Sequence, residues 1–369
     1  MSTRIAFQLL SALTIASQVD AFVPSNQRVT AFRTRVFSTI ALEADAHSLT
    51  TDEPSFSVRA PLKYLGPYPA IGLRFPTLAT TGMKERNATG ISLDFVLDTA
   101  ANTNTLNLQV AQELKLNIIG RALPGLSAAG AIAGADTFML GDCQLEGLGE
   151  EIFMQELTAA ALPTPAAAGL LSKAFLDCFP GGVEFDWTGT PSVTFHDARR
   201  DTTDMVMVPI TPLPVTLLPT VMVRIQGVDM VALLDTGSPI TVMNAAAAIK
   251  AGVTGMNTDP TAVTNKNPFQ KMMNNIKTAN AAARGDVLLL AGNNGERIQL
   301  IKSAEQIPVH LANGAVDFGM SHIYIGDIPG LVAMNGVLGV DAPACVLGMD
   351  VLRTRPKMLY RGQDNQVYF

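Results

Sequence analysis

Leu-Asp-Phe-Val-Leu-Asp-Thr-Ala-Ala-Asn-Thr-Asn-Thr-Leu-Asn, residues 93–107, and Met-Val-Ala-Leu-Leu-Asp-Thr-Gly-Ser-Pro-Ile-Thr-Val-Met-Asn, residues 230–244, are two versions of one element. Each opens with an apolar run of β character, reaches Asp-Thr, and ends in Asn before an Ala/Leu-rich stretch. The pattern predicts a strand, a tight turn carrying Asp98 or Asp235, and a short helix capped by Asn107 or Asn244, over about 108–116 and 245–252.

The likeness extends outward. Thr137 to Asp142 and Leu170 to Leu176 echo Asp317 to His322 and Val346 to Leu352. On that alignment the second half carries about 43 additional residues between Lys250 and Asp317. Their Asn, Ala and Lys content reads as a long mobile loop, about 251–316. Elsewhere short apolar runs alternate with Gly, Pro and Asn turns. The expected architecture is all-β: two similar barrel lobes with short helices, related by a pseudo-two-fold axis, at 61–205 and 206–369.

Two carboxylates on equivalent turns meet if the lobes pack face to face. Carboxyls a few ångströms apart cannot both ionise, so they share a proton. One accepts a proton from a trapped water while the other donates to a carbonyl oxygen, and the pair titrates as a unit.

Apolar-apolar-Asp-Thr-Gly/Ala, once per half and followed by an apolar-apolar-Gly element, resembles the aspartic proteases. The likeness is pepsin-like in having both lobes in one chain, and retropepsin-like in their compactness. It implies an aspartic endopeptidase with Asp98 and Asp235 as catalytic dyad, acting on a peptide or protein substrate as a monomer, without metal or cofactor. It implies further that Thr99 and Thr236 bond across the lobes. Gly237 would approach a carboxylate closely, Ser238 would donate to the outer oxygen of Asp235, and Gly348 would close the loop beneath the second Asp. The small residues from Gly125 through Gly130 to Gly134 would form a flap.

The sequence departs from the family pattern at Ala100, where Gly is usual, at Ala101, which lacks a hydroxyl, at Ser172, where Gly is usual, and in having no flap tyrosine. Unequal support of this kind makes Asp235 the expected bearer of charge. The alternative it raises is an inactive protein of the same fold that binds peptides or proteins in its cleft.

Composition narrows the remaining classes. Of 369 residues 48% are apolar and 16% charged, and the net charge is −6, which offers nucleic acid no basic surface. Arg4 and the apolar run Ile5 to Ala16 read as a signal peptide; residues 22–42, Arg/Ser/Thr-rich without Asp or Glu, read as a transit peptide. This leader resembles those of proteins bound for complex algal plastids, plastid-targeted aspartic protease-like proteins included, with secretion as the alternative address. Residues 43–60 read as a polar linker, and the mature chain is expected to be soluble, with no membrane span. Asn87-Ala88-Thr89 is a glycosylation sequon. Cys143, Cys178 and Cys345 lack metal spacing and read as buried hydrophobes, with a Cys143–Cys178 bridge as the alternative. His47, His196, His310 and His322 are scattered without ligand spacing.

Overall fold

The computed structural model describes residues 57–84, 90–122, 125–127, 130–132, 134–162, 167–214, 216–256, 280–291, 297–311, 313–339 and 342–369. The leader and the Asn87 sequon lie outside them. The fold is mostly strand, arranged in barrel-like sheets with short helices.

In each half the strand that carries the Asp is locked by the same pairing. In the first, β1 (Ile91–Leu97), β2 (Thr105–Asn107) and β3 (Gly169–Leu171) form the centre of an eight-stranded sheet. Strand β3 runs parallel to β1, Leu171 opposite Leu97, and antiparallel to β2, Gly169 opposite Leu106. In the second, β4 (Val228–Leu234), β5 (Val242–Met243) and β6 (Ala344–Leu347) repeat this inside a ten-stranded sheet. There β6 is parallel to β4, Leu347 opposite Leu234, and antiparallel to β5, Val346 opposite Val242. A returning strand wedged between the two arms of a turn fixes that turn from both sides.

Behind each turn stands the expected helix, α1 (Leu108–Leu114) or α2 (Ala245–Ala251). Asn107 Oδ1 accepts from Gln109 N at 2.9 Å, and Asn244 Oδ1 from Ala247 N at 2.8 Å. Both helices end in a left-handed residue, Lys115 at φ 52° and Gly252 at φ 66°.

Side chains alternate along these strands. Phe95, Leu97 and Leu171, like Ala232, Leu234, Cys345 and Leu347, enter one large core. Val96 and Leu170, and Leu233 and Val346, lie on the opposite face, in two separate clusters.

The lobes are joined by a six-stranded sheet drawn from both. Gly182–Asp186 of the first lobe pairs antiparallel with Lys357–Arg361 of the second, Val183 opposite Tyr360. Ser57–Pro61 adds to one side through Ser192–His196, and Met207–Pro209 to the other through Gln366–Tyr368.

Three expectations are corrected here. Residues 57–60 are part of a strand, not of a linker, because they complete this joining sheet. The segment expected as a long loop, about 251–316, is not one loop: Val287–Ala291, Arg297–Lys302 and Ile307–Leu311 are paired strands. Residues 257–279, the most Asn-rich part of the loop expectation, lie outside the described residues. Thr137–Asp142 and Asp317–His322 are not counterparts. The first-lobe strand Asp136–Leu145 pairs Leu145 with Leu73, and the corresponding contact of the second lobe is Leu311 with Val223. The counterpart of Leu145 is therefore Leu311, in the strand before Asp317–Ser321. A six-residue likeness was too short to set register.

Candidate active site

Asp98 and Asp235 follow directly from β1 and β4, and each is anchored by its own backbone. Asp98 N donates to Leu171 O at 2.9 Å, and Asp235 N to Leu347 O at 3.1 Å. The next residue of each loop then crosses to the other lobe. Thr99 Oγ1 donates to Leu234 O at 2.6 Å, and Thr236 Oγ1 to Leu97 O at 2.7 Å. In return Thr99 N donates to Thr236 Oγ1 and Thr236 N to Thr99 Oγ1, both at 3.1 Å. Both threonines are fully buried, so these reciprocal bonds replace water on every polar group they cover.

This lattice sets the two carboxyls against each other. A Cβ on Gly237 would collide with the Asp98 carboxyl, so only glycine lets the second loop approach the first acid. Ala100 N donates to Asp98 Oδ1 and Gly237 N to Asp235 Oδ1, each at 2.8 Å, which holds the inner oxygens. Asp98 is 0% exposed and Asp235 1%. Burial pushes the Asp98 carboxyl well above the ordinary 3.8, the Asp235 charge pushes it further, and the Ala100 and Ala101 amides oppose both. A side-chain hydrogen bond between the two acids raises it as well. Two acids so buried and so close favour a single shared proton, and the pair titrates as a unit.

Beneath the acids the two lobes diverge. Gly348 N donates to Thr241 Oγ1 at 3.0 Å, and a Cβ at Gly348 would collide with the Ile240 backbone. Thr241 Oγ1 donates in turn to Asp350 Oδ1 at 2.7 Å. In the first lobe Ser172 takes the place of Gly348: its N and Oγ both donate to Asn104 Oδ1, at 2.9 and 3.0 Å. The serine therefore has its own partner where the second lobe has no room for a side chain. Asn104, Thr241 and Asp350 were missed by sequence reasoning. The signal was available, since Asn104 and Thr241 occupy the same place, six residues after each Asp.

One expected contact is corrected. Ser238 Oγ donates to Ile240 O at 2.8 Å, so the tight turn before Pro239 and Ile240 claims the hydroxyl that was assigned to Asp235.

Of the flap candidate, Gly125–Ser127 and Gly130–Ile132 pair as an antiparallel hairpin, with Gly134 just beyond it. The hairpin belongs to the first lobe, yet its first strand lies beside α3 (Pro329–Leu338) of the second, which places it across the space between the lobes.

Among the described residues no group of His, Cys, Asp and Glu could hold a metal ion, and no helix is long and apolar enough to cross a membrane. The three cysteines are free; burial pushes the Cys143 and Cys345 thiols up to about 12. His196 lies 3.6 Å from Glu184, and His310 3.0 Å from Asp317.

A scan against models of protein families finds no match, and a search of curated proteins finds no relative.

Proposed function

We propose that this protein is an aspartic-type peptidase that hydrolyses peptide bonds with a water activated between Asp98 and Asp235. The observation that carries the reading is the reciprocal Thr99/Thr236 lattice. It spends four buried hydrogen bonds on holding two acids, from loops 137 positions apart, against each other. Charged Asp235 takes a proton from water as the oxygen attacks the carbonyl carbon, and protonated Asp98 gives its proton to the carbonyl oxygen. Collapse of the tetrahedral diol breaks the C–N bond, with a proton passing to the leaving amine. Both acids come from one chain, so the monomer suffices. No cofactor enters the scheme.

Asp98→Asn and Asp235→Asn should each lower cleavage of a peptide library by about 1,000-fold or more while the fold persists. Activity unchanged in both variants overturns the reading. The near-complete burial of both acids favours one second reading, a cleft that binds peptides without cleaving them. Wild-type chain that binds peptides and cleaves none between pH 3 and 8 would establish it. The plastid address rests on the leader alone; residues 1–42 fused to a fluorescent protein should enter plastids, and secretion of the fusion would overturn it.

A further inference from the structure

The two walls beside the dyad are built unequally. A peptide lying across a pseudo-two-fold axis places one half along each lobe, against the faces of β1/β3 and β4/β6 that turn away from the large core. In the first lobe that face carries Val96 and Leu170 and, among the described residues, gathers Tyr68 and Ala70 into its buried cluster, with Leu65 and Ala167 at its margin. An open depression of about 340 Å³ adjoins it, sharing Leu65 and Ala167. In the second lobe the equivalent residues Leu233 and Val346 lie under α3. Ile328, Leu331 and Met334, each 0% exposed, pack there with Leu213 and Leu218.

The same cluster includes Ala100, whose amide holds the Asp98 carboxyl. The helix is thus continuous with the floor of the dyad. It arises from a length difference: six residues connect the strand Met154–Leu162 to β3, whereas eighteen connect Tyr324–Ile325 to β6. On its far side α3 meets the hairpin strand Gly125–Ser127.

From this asymmetry we infer that α3 closes the second lobe's half of the cleft, so that the substrates are chains cleaved within one or two residues of an end. Most of the peptide lies along the first lobe, and Leu331 and Met334 set the limit on the other side. The inference rests on the peptidase reading and narrows it from peptide bonds at large to bonds near a terminus.

The test uses the full chain and synthetic peptides that share one cleaved bond and are shortened residue by residue from either end. Shortening on one side to a single residue should change kcat/KM by less than about threefold, and shortening on the other should lower it about tenfold or more. Leu331→Ala and Met334→Ala should cleave peptides extended on the tolerant side about tenfold faster than the wild type. The length series on wild-type chain carries the test if either variant fails to fold. Equal demands on both sides, with cleavage still abolished by Asp98→Asn, overturn the inference and leave the peptidase reading standing. No cleavage of any peptide, together with no binding of a peptide bearing a hydroxyl in place of the scissile carbonyl, overturns both.

Discussion

The loop at Asp98 and the loop at Asp235 hold the same acid by the same backbone bonds, yet they differ where space is tightest. Gly237 faces the Asp98 carboxyl and has no space for a methyl group, while its counterpart Ala100 is buried among apolar side chains of the second lobe. Gly348 is pressed on Ile240, whereas its counterpart Ser172 has room and a partner in Asn104. The pseudo-symmetry is therefore one of hydrogen bonds, not of space. Residues that donate or accept across the axis are repeated, and residues that only fill volume have diverged.

Exchanging the diverged residues should break this pairing unevenly. Gly237→Ala should lower peptide cleavage by about 100-fold or more, because the added methyl must displace the Asp98 carboxyl. Ala100→Gly should change it by less than about tenfold. Comparable losses in both would show that the two loops are crowded alike. Next in size, Gly348→Ser should cost about 3 kcal/mol in denaturant unfolding through its collision with Ile240, against about 1 kcal/mol for Ser172→Gly.

The raised Asp98 carboxyl has its own signature. Asp98 keeps its proton in the folded chain to a higher pH than in the unfolded chain, which loses it near 3.8. Stability should therefore fall as pH rises above 3.8, by at most about 1.4 kcal/mol per pH unit for this one group. Asp98→Asn should remove that component, which unfolding of both proteins across pH 4 to 7 would reveal. An identical pH slope in the two would contradict a raised Asp98 carboxyl.

The smallest expected difference is between the caps. Asn107→Ala should cost about 1 kcal/mol. Asn244→Ala should cost somewhat more, since Asn244 also donates to Ala342 O at 2.8 Å and accepts from Ala344 N at 3.3 Å.

What was legible in the sequence was local or repeated. Asn107 and Asn244 announce their helices within four residues, and the two Asp-Thr turns announce each other. The paired strands of the second lobe also had a signal, the alternation of Ile307, Val309 and Leu311 toward the core, but the surrounding Asn-rich composition obscured it. Ser238 was misassigned because a hydroxyl beside an acid has a nearer competitor in its own turn. The joining sheet was not legible at all: nothing near Val183 specifies Tyr360 as its neighbour, since each strand supplies only an apolar face and leaves the partner to the rest of the fold.

That joining sheet bears on how the chain is made. Among the described residues Gly182–Asp186 gains its second neighbour from Lys357–Arg361, and Met207–Pro209 pairs with Gln366–Tyr368, so the edge of the first lobe stays uncovered until residues 357–368 have been made. On the ribosome that edge is an unpaired template, open to chaperones or to strands of other chains until the C-terminal strands arrive. Pairing over so long a stretch of chain is non-local, the kind of contact that slows folding.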